Sequence, residues 1–113
     1  MTPSTAAMRF RRGQVGARQL QDEAQRVLQD LGDPGSDASE RAREAGLSAP
    51  ALAGAEVTLT EEQQGLDPVT TTILVTIVTE LGVRAAATLW DIIILPRLKR
   101  RFGIKALGDG IDQ

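Results

Sequence analysis

The chain contains no cysteine, no histidine and no tyrosine. Without cysteine there is no disulfide, no thiolate metal site and no thiol redox chemistry. Without histidine the commonest metal ligand and general base are missing. The aromatic residues are Phe10, Trp90 and Phe102, too few to build a stacking platform for unpaired bases. The four serines, at 4, 36, 39 and 48, fall in terminal or turn-like segments, and no imidazole exists to activate one. The glycines match neither a phosphate loop nor a dinucleotide fingerprint. These absences predict a protein that is not an enzyme, holds no cofactor or metal, and takes no small-molecule substrate.

What is present is a chain of 113 residues with a formal net charge of −2. Once its polar ends are set aside, roughly sixty to seventy residues remain to build a core, which is marginal for a lone domain without disulfides. Self-association is therefore expected. Charge is laid out unevenly: residues 51–67 carry four acids and no base, and residues 97–105 carry five bases and no acid. The N-terminus has arginines where the apolar stretch of a secretory signal should follow, so the expected location is the cytoplasm, with association to the inner membrane as the alternative.

Along the chain, residues 1–12 lack periodicity and read as a flexible lead-in. Residues 13–46 read as a pair of amphipathic helices. In the first, residues 16–31, Leu20, Ala24, Val27 and Leu31 follow a 4-3-4 spacing with polar residues between them, and Gly32 with Asp33-Pro34-Gly35 stops it. In the second, Asp37 and Glu40 stand at capping-box spacing, and only alanines are apolar. Residues 47–66 form a linker. Within it, residues 56–60 read either as an extended lead-in to the next helix or, from their alternation, as a half-buried strand; with no partner evident in this chain, a strand there would have to pair with another copy or another protein. Residues 67–103 hold the main apolar element, and 104–113 a flexible tail.

That element decides the predicted fold. Asp67 and Pro68 supply an N-cap and a first-turn proline, and a helix can run over 68–95 to a break at Pro96, followed by a short basic helix over 97–102 with Gly103 as its cap. Thirteen Leu, Ile and Val residues between 69 and 95 would contribute about −4 to −8 kcal/mol to membrane insertion, whereas Glu80, Arg84 and Asp91 cost about 2.5 to 3.5 kcal/mol each if central. The balance disfavours a lone span. On a helical projection Leu74, Val78, Leu81, Gly82, Ala85, Leu89 and Ile92 share an uncharged arc, with Glu80, Arg84 and Asp91 opposite as a polar network. Gly82 and Ala86 have the spacing of close helix contacts.

The basic residues Arg97, Lys99, Arg100, Arg101 and Lys105 suit a solvated helix end, an anionic membrane surface, an acidic protein partner or nucleic-acid phosphates. Nucleic acid is disfavoured by the acidic balance and the few aromatics. The sequence thus predicts a mainly α, small helical domain dominated by one long apolar helix, with an amphipathic N-terminal helix and a short strand at 56–60. Its expected role is a non-enzymatic interaction or assembly module that self-associates, or meets a protein partner, through the apolar arc. The competing expectation is an oligomeric membrane pore or anchor.

Overall fold

Residues 69–95 do not form one helix. In the computed structural model, which describes residues 3–63 and 71–110, this stretch divides into a strand, a turn and the first part of a different helix. Strand β3 spans Thr71–Thr79, TTILVTIVT, in which every residue but Leu74 is β-branched. Branching at Cβ is costly against the preceding helical turn and packs well on a pleated surface. Ile73, Val75, Ile77 and Thr79 alternate inward and are buried, with the period of two that marks a strand. A helical arc also collects apolar residues from so rich a segment, which is why the mainly α expectation fails. The expected helix start at Asp67 and Pro68 lies outside the described residues.

The chain order is β1 (Ser4–Arg12), α1 (Ala17–Leu31), α2 (Asp37–Glu44), α3 (Ala49–Ala53), β2 (Glu56–Gln63), β3, α4 (Val83–Thr88), a π-helical stretch Leu89–Ile94, α5 (Leu95–Phe102) and β4 (Leu107–Gly110). The strands form one antiparallel sheet in the order β2-β3-β1-β4. This is an α+β fold with split β-α-β connectivity. Residues 4–12 of the expected flexible lead-in form the inner strand β1, and residues 107–110 of the expected flexible tail form the edge strand β4. Strand β2 pairs within the chain, Val57 opposite Ile77 and Leu59 opposite Val75, so it needs no partner from outside.

Helix α1 lies where its spacing indicates. It buries Leu20, Ala24, Val27, Leu28 and Leu31. Ser36 caps α2 by accepting the Ser39 amide hydrogen at 3.1 Å. The core sits between these helices and one face of the sheet, where Ala6, Val57, Leu59, Ile73, Val75 and Ile77 meet Leu20, Val27, Leu52, Leu89, Trp90, Ile94 and Leu98. Phe10, half-buried, packs on Trp90 with ring centroids 5.3 Å apart.

The last helical run begins at Gly82, whose φ of +100° and ψ of 165° suit glycine alone. Helical structure then continues through residue 102, so Pro96 does not break it. Pro96 lacks an N–H and cannot bond the carbonyl four residues earlier. The turn before it is π-helical: the Leu95 N–H donates to the Trp90 carbonyl five residues back. Arg84, Asp91, Arg97, Lys99, Arg100 and Arg101 all lie in this run. Among the described residues no helix is long and apolar enough to cross a membrane.

Candidate interaction surfaces

The arc expected to mediate self-association is dispersed by the fold. Leu74 and Val78 are half-buried on the sheet, Leu81 and Gly82 form the turn after β3, Ala85 and Leu89 are buried in the core, and Ile92 is exposed on the π-helical stretch. No single surface contains them. The predicted polar network is dispersed too. Glu80 belongs to the turn, Arg84 to α4 and Asp91 to the π-helical stretch, all three exposed. Glu80 and Arg84 are not on one helix, because α4 starts at Val83, so the i,i+4 geometry does not arise.

The basic run divides as well. Lys99 points to a hollow shared with Phe10, Leu95, Ile104 and Leu107, and Lys105 stands in the α5–β4 turn, where its carbonyl accepts the Gln14 amide hydrogen at 2.9 Å. Arg97, Arg100 and Arg101 stay together and face α1 and α2. Their organiser is Glu23, only 3 % exposed, which accepts from Arg97 Nε at 3.0 Å and from Arg26 Nη1 at 3.2 Å, with Arg101 Nε 3.7 Å away. Arg97 Nη1 also donates to Asp30 at 3.0 Å. A carboxylate this buried is tolerable only when paired, and these arginines supply the pairing.

Asp37, at the start of α2, extends the network. Its Oδ2 accepts from Arg41 Nε at 3.0 Å and lies 3.8 Å from Arg100 Nη2. The hydrogen bond from Arg41 holds the Asp37 carboxyl below its ordinary value. Desolvation works the other way, and the charges of Arg41, Arg100 and Arg97 add to the lowering. Sequence reasoning missed Glu23, although a signal existed: it falls among the inward positions of α1, between Leu20 and Val27, where a carboxylate has to be explained.

Among the described residues no helix lies on the second face of the sheet. Pairing register assigns to it Thr5, Ala7, Arg9 and Arg11 from β1, Thr72, Leu74, Thr76 and Val78 from β3, and Glu56, Thr58, Thr60 and Glu62 from β2. Its centre is an uncharged ladder of threonine, alanine, leucine and valine. Its cations lie on β1 and its anions on β2. Arg9 Nε and Glu62 Oε1 are 3.2 Å apart across β3, and Thr72 beneath this end of the face is fully buried. On the helix side, Arg12 and Glu61 form a corresponding pair at 2.7 Å.

Strand β2 is an edge, and α1 covers part of it. Gln21 Nε2 donates to the Val57 carbonyl at 2.8 Å while Gln21 Oε1 accepts the Leu59 amide hydrogen at 2.6 Å, and Gln25 Nε2 reaches the same Val57 carbonyl at 3.3 Å. Edge strands left open recruit other strands, so this is a device against uncontrolled pairing. No cluster of acidic side chains able to hold a metal ion occurs among the described residues. Comparison with protein families, with curated proteins and with solved structures finds no match to the chain.

Proposed function

We propose that the chain is a non-enzymatic assembly module that self-associates through the open face of its sheet. The observation that carries this reading is the charge layout of that face around β3. In the order β2-β3-β1-β4, β3 has β1 on one side and β2 on the other. A second copy turned about a two-fold axis along β3 sets β1 of one copy over β2 of the other at the same level. Arg11 and Glu62 are both level with Thr72, so Arg11 of each copy joins the Arg9–Glu62 pair of the other, twice by symmetry. Ala7 and Thr58, both level with Thr76, meet as small neutral side chains. Leu74, Thr76 and Val78 meet their own copies on the axis. Two similarly twisted sheets pack face to face in this aligned manner.

The size of the face sets the strength. Three strands about 4.8 Å apart and eight residues long at about 3.3 Å each cover a projection of roughly 14 by 26 Å. That is at the small, reversible end of protein interfaces, so the association is concentration-dependent. Burial of the face would also support a small core that has no disulfide.

Light scattering over a concentration series tests the reading. A dimer that dissociates on dilution is expected. In Thr76→Glu, two carboxylates would oppose each other on the axis, and the protein should be monomeric with an unchanged far-ultraviolet circular dichroism spectrum. A wild-type monomer at every concentration, or a dimer untouched by Thr76→Glu, would sink it. The pore or anchor alternative has lost its element, because residues 69–95 do not form a single helix.

A further inference from the structure

We infer that the hollow between α2 and α5, lined by Asp37, Arg97, Arg100 and Arg101, binds a dianionic oxyanion, the phosphate group of a small phosphorylated molecule. This surface lies on the helical side and does not depend on self-association through the sheet. The hollow has a volume of about 330 Å³, at the small end of ligand sites and enough for a phosphate with a short body.

Three features support the inference. The first is preorganisation: Arg97 is anchored by two hydrogen bonds, to Glu23 and Asp30, so one wall cation is fixed in direction before any ligand arrives. The second is unused donors. Arg100 and Arg101 approach their nearest carboxylates at 3.8 and 3.7 Å, too far for hydrogen bonds, and their side chains are 56 % and 60 % exposed. Guanidinium forks whose N–H groups have no hydrogen-bond partner among the described residues suit the paired oxygens of a phosphate. The third is charge. Two ion-pair clusters border the hollow, Glu23 and Asp30 with Arg26, Arg97 and Arg101, and Asp37 with Arg41 and Arg100, and together they carry a surplus of two positive charges. A dianion neutralises it. The arginines converge on one hollow, and Lys99 and Lys105 stand elsewhere, so the layout suits a single phosphate better than a line of them.

Asp37 is the internal competitor, since its carboxylate faces the same guanidinium groups that the ligand would use. Removing its charge should therefore tighten binding, an effect that a purely structural ion pair does not produce.

The test is calorimetric titration of the full chain, in phosphate-free buffer, with inorganic phosphate and with pyrophosphate. One saturable site is expected for at least one of them. The double variant Arg100→Gln, Arg101→Gln should weaken it by at least about tenfold, the loss expected for removing hydrogen bonds to a charged group, while keeping the wild-type far-ultraviolet circular dichroism spectrum. Asp37→Asn should strengthen it. Absence of saturable binding overturns the inference, as does binding that the double variant leaves unchanged. Tighter binding of a short single-stranded RNA, growing with its length, would also overturn it in favour of a nucleic-acid backbone.

Discussion

Gln21 stands in for a neighbouring strand at Leu59. Its carboxamide oxygen accepts the Leu59 amide hydrogen at 2.6 Å while its nitrogen donates to the Val57 carbonyl at 2.8 Å. One side chain thus supplies the donor and acceptor that a paired peptide group would. Gln21→Leu should cost about 1–3 kcal/mol, because the Leu59 amide is left buried and unbonded. It should also raise light scattering on prolonged incubation, since the β2 edge becomes available for pairing. Urea denaturation measures the first effect. An unchanged midpoint would show that the amide finds another partner at no cost.

The Glu23–Arg97 pair is unequal. Glu23 is 3 % exposed and Arg97 30 % exposed at the side chain. Arg97→Ala leaves a buried carboxylate with weaker partners and should cost about 1–3 kcal/mol. Glu23→Leu leaves an arginine that can still reach Asp30 and water, and should cost less. Urea midpoints of the two variants decide it, and the reverse order would mean that the burial of Glu23 does not govern the pair.

If the sheet faces meet about β3, charge reversal has a signature. Arg11→Glu alone and Glu62→Arg alone each place like charges opposite one another and should weaken the dimer. The double exchange restores opposite charges across the axis, though it still breaks the Arg9–Glu62 pair within each copy, and should recover part of the association. Sedimentation of the three variants provides the measurement, and additive weakening in the double exchange would exclude this axis.

Gly82 sits at φ +100° and ψ 165°, a conformation that other residues adopt only with strain. Gly82→Ala should lower stability by about 1–3 kcal/mol. Oligomeric state should not change, because the residue starts a helix and does not line a helix contact. Thermal melting read beside light scattering separates these effects.

The pH dependence around Asp37 has a definite sign. Its folded-state value lies below the ordinary 3.8, so the carboxylate contributes stability above that value and loses it as pH falls through the lowered folded value. Asp37→Asn should therefore be less sensitive to acid than the wild type at the bottom of the titration. Melting temperatures followed from neutral pH into the acid range check this. The contribution is small, since Asp37 is exposed.

Helix α1 and its stop were legible because a helix bonds locally: the 4-3-4 spacing of Leu20, Ala24, Val27 and Leu31 carries the whole instruction. The start of α2 was legible to within one residue: the capping-box spacing of Asp37 and Glu40 places the cap at Asp37, and the structure places it at Ser36. The arginine cluster was half legible, since its cations stand in one run whereas Glu23, Asp30 and Asp37 come from distant positions. The sheet's open face was not legible, although two of its members, Leu74 and Val78, were expected at an interface for a different reason.

The sequence by itself excluded thiol and imidazole chemistry and marked α1 and the neighbourhood of α2, whereas α3 formed where a linker was expected. Only the tertiary structure decided the fate of residues 71–79. Their apolar side chains satisfy a helical arc and an alternating strand equally well, and the choice falls to strand because β1, from far earlier in the chain, and β2, the strand that precedes it, offer hydrogen-bonding edges on both sides of β3. A strand's partners lie outside its own segment, so no local pattern could announce them. The same pairing carries Arg9 and Arg11 to one side of β3 and Glu56 and Glu62 to the other, and the surface proposed for self-association exists only once that has happened.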